Sequence, residues 1–195
     1  MNTKKIKLIA LFGPAGAGKD FILERWAGRG GLHIVVNHST RPQRENEREG
    51  DPYYFISDDI YAEMADNKEF IQTTVFNNWY YGTALSELKE DKVNIGVFNI
   101  AAIEQLLTDD RIDVLPVAIV AKDKIRLIRQ LNRECEPDCT EICRRFLADK
   151  KDYEVIPFKY LTYANENATP LSHLFDALEI ILTEWQNLLI IQQES

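Results

Sequence analysis

Apolar residues fall in short continuous runs, separated by stretches where they recur at helical spacing. The runs predict strands at residues 6–12, 32–37, 93–98, 113–121 and 158–163. The helical spacing predicts helices at 19–28, 101–108, 123–133, 140–152 and 171–190. Strand alternating with helix is the pattern of a parallel sheet covered by helices on both faces, so the expected fold class is α/β. The run Val114-Leu115-Pro116-Val117-Ala118-Ile119-Val120 is apolar on both sides, as a buried parallel strand should be. Pro116 cannot donate to a ladder and predicts the start of that strand or an irregularity in it. Leu174, Leu178, Ile181, Leu182 and Trp185 form a stripe on the last helix, predicted to pack on the core.

Two segments break the alternation. Residues 38–83 are polar, aromatic and basic, and too long for a simple loop, which predicts an inserted sub-domain. Residues 133–140 are a charged break between two helices and predict a short mobile lid. The core of one 195-residue domain is then expected from 1–37, 84–132 and 141–195.

Between the first predicted strand and the first predicted helix lies Gly13-Pro14-Ala15-Gly16-Ala17-Gly18-Lys19. Strand, glycine-rich loop and helix, with a lysine opening the helix, is the setting of a phosphate-binding P-loop. Glycines let the backbone wrap closely, so that several N–H groups converge on phosphate oxygens. The helix N-terminus adds partial positive charge and Lys19 a full one. The residue after the lysine, usually a hydroxyl that ligates magnesium, is Asp20. Its carboxylate is a hard oxygen ligand suited to Mg²⁺, and equally a favourable charge for the first turn of a helix.

The chain carries 23 basic and 31 acidic residues, a net charge of −8, which argues against nucleic acid polymers and anionic membranes as partners. Positive charge must be concentrated where phosphate binds, and Arg41, Arg44 and Arg48, then Arg129, Arg133, Arg144 and Arg145, are the candidates. No apolar stretch approaches the ~20 residues of a membrane span. Met1-Asn2-Thr3-Lys4-Lys5 leads into a short strand-like run rather than a signal peptide, so a cytoplasmic chain is expected, as monomer or homodimer. Cys135, Cys139 and Cys143 lack a nearby histidine to complete four zinc ligands, and reduced thiols are expected.

A second basic cluster reads Thr40-Arg41-Pro42-Gln43-Arg44, with Glu47 and Gly50-Asp51-Pro52-Tyr53-Tyr54-Phe55 after it and Tyr80-Tyr81-Gly82-Thr83 further on. Two arginines three apart can fork around one phosphate, and tyrosine hydroxyls can complete its shell. Together with the P-loop these motifs resemble the guanylate kinase family over most of the chain. The resemblance implies a P-loop NTPase-type sheet, and ATP-dependent phosphoryl transfer to a nucleoside monophosphate, GMP or dGMP by default. It implies that Arg41, Arg44, Tyr53 and Tyr81 hold the acceptor phosphate, with Asn37, Gln72 and Thr83 also on the acceptor side. Gly13, Ala15, Gly16, Ala17, Gly18, Lys19 and Asp20 would hold ATP and its Mg²⁺, with Asn165 near the adenine. Arg133 and Arg145 would swing in with the lid.

The chain departs from the family where the base is read. Gln72 stands for a family Glu in Phe70-Ile71-Gln72, and Val97 and Asn99 stand for acids in Gly96-Val97-Phe98-Asn99. A carboxylate accepts two guanine N–H donors, whereas an amide offers one acceptor and adds donors, so another base is also compatible. A Gly-Lys-Asp loop also resembles kinases acting on ribose 1,5-bisphosphate. Guanylate-kinase-like modules that bind phosphopeptides share the arginine pair.

Overall fold

A computed structural model describes residues 5–27, 32–43, 47–76, 78–133, 135–166, 172, 173 and 176–183. In chain order the strands are β1 (Ile6–Phe12), β2 (His33–Ile34), β3 (Asn37–Ser39), β4 (Arg48–Glu49), β5 (Pro52–Phe55), β6 (Phe70–Phe76), β7 (Trp79–Ala84), β8 (Asn94–Val97), β9 (Ile112–Val120) and β10 (Leu161–Ala164). The helices are α1 (Lys19–Ala27), α2 (Asp58–Asp66), α3 (Ile100–Leu107), α4 (Asp123–Leu131) and α5 (Cys139–Asp152). One sheet has the order β10-β9-β1-β8-β2 and a second has β4-β5-β3-β7-β6. In the first sheet β10 pairs with β9 and β2 with β8, both in parallel.

Contacts divide the chain into two compact units, Met1–Ala10 with Gly31–Val114, and Leu11–Gly30 with Leu115–Ser195. In the first, Leu8, Ile9 and Ala10 of β1 are fully buried, as a strand covered on both faces requires. Helix α3 buries Ala102, Ile103 and Leu106 along one stripe, and Asn99 starts it by accepting the Ala102 amide at 2.8 Å. The second sheet also lies here. Its strand β3 pairs in parallel with β5 and antiparallel with β7, and β6 and β7 form a hairpin that places Gln72 opposite Thr83.

In the second unit Ile22 and Trp26, one helical turn apart on α1, are fully buried, and Trp26 meets Tyr163 of β10 edge to face at 6.1 Å. Helix α5 begins at Asp138, whose carboxylate accepts the Glu141 amide at 3.0 Å. The last described helical stretch, 176–183, buries Leu178 and Ile181. Leu174 and Trp185 of its expected stripe lie outside the described residues.

Four local features differ from expectation. The strand expected at 32–37 is two strands, β2 and β3, in different sheets; Val35 still donates to Ile95 at 2.8 Å beside β8, and by Asn37 the backbone has moved to β5 and β7. Its apolar run was continuous, and only pairing partners separate the halves. Pro116 lies buried inside β9 rather than at its start, and the ladder to β10 begins at Val117, so one flank is open where a missing donor is tolerated. The last strand runs 161–164, later than 158–163, and the segment 133–140 contains the cap and the first two residues of α5.

Candidate functional site

The glycine loop belongs to the second unit and spans the gap between β1 and α1. Gly16 and Gly18 have φ of 76° and 90°, in the left-handed region. A Cβ on Gly16 would collide with the Arg126 carbonyl and one on Gly18 with the Asn165 side-chain amide, so backbone angle and close packing both demand glycine.

Donors from α4 and from the end of β10 take the loop's carbonyls. Arg126 Nε donates to Ala15 O at 3.0 Å and Gln130 Nε2 to the same oxygen at 3.4 Å. Arg129 Nη1 reaches Gly16 O at 3.3 Å and Ala17 O at 3.1 Å, and Asn165 Nδ2 reaches Ala17 O at 2.8 Å. Residues 126, 129 and 130 share one helical face, so a single side of α4 serves the loop. In a trans peptide the N–H points opposite to its C=O, so the amides of Gly16 and Gly18 face away from these donors. That is a row of N–H dipoles available to an anion.

Lys19 folds back over the loop, its Nζ donating to Gly13 O at 2.7 Å and Pro14 O at 3.2 Å. Burial holds its ammonium below the ordinary lysine value; Asp20 and Asp149 pull the other way, while Arg126 and Arg133 add to the lowering. Asp20 is exposed in the first turn of α1. Asp149 of α5 reaches the loop from the side: its Oδ2 accepts the Ala15 amide at 2.7 Å and Arg126 Nη2 at 2.9 Å. Arg126 is 4% exposed and lies 4.7 Å from the Phe146 ring centre. Tyr153, just past α5, stacks on Phe12, and burial pushes its hydroxyl up to about 12, with Asp149 adding.

The expected lid arginines are both exposed. Arg145 pairs with Glu141 at 2.5 Å, and Arg144 takes the same carboxylate at 2.6 Å. Asn165, expected beside an adenine, is buried with its amide nitrogen bound to the loop. Cys135, Cys139 and Cys143 are free and exposed. Among the described residues no group of three or more His, Cys, Asp and Glu is placed to hold a metal ion, and no helix is long and apolar enough to cross a membrane.

The second set of candidates lies in the first unit. Arg41 makes a bidentate pair with Glu47, both contacts 2.9 Å, and its guanidinium sits 5.5 Å from the Tyr53 ring and 5.3 Å from Phe55. Tyr53 and Phe55 share one face of β5, and Tyr53 meets Tyr81 of β7 at 5.7 Å. The structure therefore brings Arg41, Tyr53 and Tyr81 together; Arg44 lies outside the described residues. Deeper in this unit a one-way chain of hydrogen bonds runs from Gln72 Nε2 to Thr83 Oγ1 (2.7 Å), from Thr83 to Asn37 Oδ1, and from Asn37 Nδ2 to Val97 O (3.3 Å). Gln72 is 4% exposed, and its Oε1 is buried with no partner.

Arg126 and Asp149 are site residues that sequence reasoning missed. The polar stripe 126, 129 and 130, at helical spacing on α4, was the available signal for the arginine. Nothing in the local pattern of α5 marks Asp149.

A parallel sheet flanked by helices, with a glycine loop between β1 and α1, is the architecture of the P-loop NTPase-type fold. The family model for guanylate kinase matches residues 5–180. The chain is similar to the guanylate kinase of Prochlorococcus marinus strain MIT 9312, 31% identical over 155 residues, covering 76% of this chain and 82% of that protein. It is also similar to that of Wigglesworthia glossinidia brevipalpis, 28% identical over 159 residues, covering 76% and 75%. In fold it resembles the crystal structure of guanylate kinase from Anaplasma phagocytophilum, with a TM-score of 0.66 at 16% identity over 93% of this chain and 88% of that one. The chain belongs to the guanylate kinase family.

Proposed function

We propose that this chain is a nucleoside monophosphate kinase that transfers the γ-phosphoryl group of ATP to GMP, yielding GDP and ADP. The observation that carries the reading is the loop: its carbonyls are held from one side by Arg126, Arg129, Gln130 and Asn165, while Lys19 crosses it. Family membership supplies the acceptor, since the similar proteins are named guanylate kinases.

Phosphoryl transfer needs alignment and positive charge around the transferred group more than covalent help. Lys19 and the amides of Gly16 and Gly18 bind the donor phosphates in this reading, joined by the Ala15 amide, with Gly13 and Ala17 shaping the loop around them. Arg41 and Arg44 grip the acceptor phosphate with Tyr53 and Tyr81, and Asn37, Gln72 and Thr83 face the base. Residues 38–83 act as the acceptor sub-domain, and residues 133–140 as the lid that brings Arg133 and Arg145 to the transferred charge. Asp20 suits magnesium: it is an exposed hard-oxygen donor next to Lys19, and Mg²⁺ commonly takes one or two carboxylates with phosphate and water. When bound, that ion neutralises charge on the phosphates. We place the reaction in the cytoplasm, where ATP is the common donor.

A coupled ADP-release assay tests this with GMP, dGMP, the other common nucleoside monophosphates and ribose 1,5-bisphosphate. Turnover with GMP, lost in Lys19→Ala and strongly reduced in Arg41→Ala, is the expected result. ADP release with none of these acceptors overturns the proposal.

A further inference from the structure

We propose that Asp149 is an internal stand-in for a phosphate oxygen, and that it sets the affinity of the loop for a triphosphate by having to leave before the triphosphate binds. The inference rests on the reading that the loop holds the donor nucleotide. Its physical basis lies in two donors that share one acceptor. Asp149 Oδ2 takes the Ala15 N–H at 2.7 Å and Arg126 Nη2 at 2.9 Å. A backbone amide of a glycine loop next to a guanidinium is the donor set that anionic phosphate oxygens seek. A carboxylate oxygen offers the same charge and the same acceptor geometry, so the two compete for one place.

The surroundings show why the place is filled. Arg126 is buried, and a buried guanidinium without a counter-anion is costly. Its other contacts, Nε to Ala15 O and Nη1 to Asp123 at 3.4 Å, leave Nη2 directed at Asp149. Around it α5 is fastened by Lys150 to Asp123 at 2.7 Å and by the Phe146 ring over Arg126. Exchanging Asp149 for a phosphate oxygen leaves both donors satisfied. Withdrawing Asp149 without a replacement leaves the buried guanidinium with Asp123, at 3.4 Å, as its carboxylate partner and strips the part-buried Ala15 amide of its acceptor. Asp149 thus preserves the loop and opposes the nucleotide at once. A merely structural carboxylate would do only the first.

Calorimetric titration of the full chain with ATP, and separately with tripolyphosphate, tests the proposal. The proteins are wild type, Asp149→Asn, Asp149→Ala and, as a control, Asp152→Asn, which removes a charge at the end of the same helix. Asp149→Asn keeps the side chain's shape and an acceptor oxygen, so it remains informative if Asp149→Ala does not fold. The expected result is ~10-fold tighter binding of both ligands by Asp149→Asn, the scale of one charged hydrogen bond. The nucleotide-free variant should melt at a lower temperature, and Asp152→Asn should bind as wild type does. Equal or weaker binding by Asp149→Asn overturns the proposal and leaves the kinase reading intact. A matching gain in Asp152→Asn also overturns it, since general charge removal would then suffice. If neither ligand binds any of the proteins, the donor-site reading falls along with it.

Discussion

The glycine loop and the Arg41 cluster, the proposed donor and acceptor sites, each centre on an arginine that holds an internal carboxylate, but they are built differently. At the loop, Arg126 is buried, and its partner Asp149 also takes the amide of Ala15, 134 residues away in sequence. In the acceptor cluster Arg41 pairs with Glu47, six residues away, through two contacts of 2.9 Å. The first arrangement is backbone held by long-range partners. The second consists of side chains on one short stretch, backed by the aromatic rings of Tyr53 and Phe55. A local pair can exchange partners by side-chain rotation alone. A pair fastened to a helix moves only when the carboxylate breaks its hold on the loop as well. Donor binding should therefore be more sensitive to distant substitutions than acceptor binding.

The largest effect expected is from Lys19→Ala. It removes a cation that crosses the loop, and turnover should fall ~10²–10³-fold, as when one preorganised charge donor is lost. Single-turnover kinetics should show the loss in the chemical step, with acceptor affinity within about two-fold of wild type if the two ligands bind independently. A comparable loss of acceptor affinity would break the contrast between the two regions.

Next comes Thr83→Val, which interrupts the Gln72–Thr83–Asn37 chain. It strands an amide N–H on one side and an amide oxygen on the other, at about 1–3 kcal/mol for an unsatisfied buried polar group. Urea unfolding should register that cost. An unchanged midpoint would mean that the network does not hold this unit together.

Arg41→Lys keeps the charge but removes the fork, and Glu47 then has a point charge to pair with. The acceptor KM should rise ~10-fold, from the loss of one charge-assisted hydrogen bond, while the ATP KM stays near wild type. Equal shifts in both constants would show that the two regions are not separable.

The smallest effect concerns Glu141, held down to about 2 from an ordinary 4.5 by hydrogen bonds from Arg144 and Arg145. A carboxyl with a depressed folded value stabilises the fold above its unfolded value and loses that contribution as pH falls through the folded one. The melting temperatures of wild type and Glu141→Gln should thus differ slightly above pH 4.5 and converge as pH falls towards about 2. Because the pair is exposed, added salt should shrink even that difference. A difference that persists at the acid end would point to packing rather than charge.

The loop was legible because its requirements are local. Glycines at 13, 16 and 18, a lysine at 19 and an apolar run before them are contiguous in the chain. The strand and helix alternation was legible for the same reason, and β1, α1, α3, β9, α4 and α5 fall close to their expected places. The break between β2 and β3 was not, because it depends on which strands lie alongside. The grouping of Arg41, Tyr53 and Tyr81 came from matching motifs, and only the register of β5 and β7 gives it a geometry.

What the sequence determined by itself was a glycine-rich loop between strand and helix, a parallel α/β scaffold and a basic, tyrosine-rich segment, all carried by residue type and spacing over a few turns of chain. Only the tertiary structure decided that Arg126, Arg129 and Asn165 hold the loop's carbonyls and that Asp149 occupies one of its amides. Helical periodicity says which residues share a face. Which loop that face meets depends on how strands and helices pack, and so do the hydrogen bonds between residues more than a hundred positions apart.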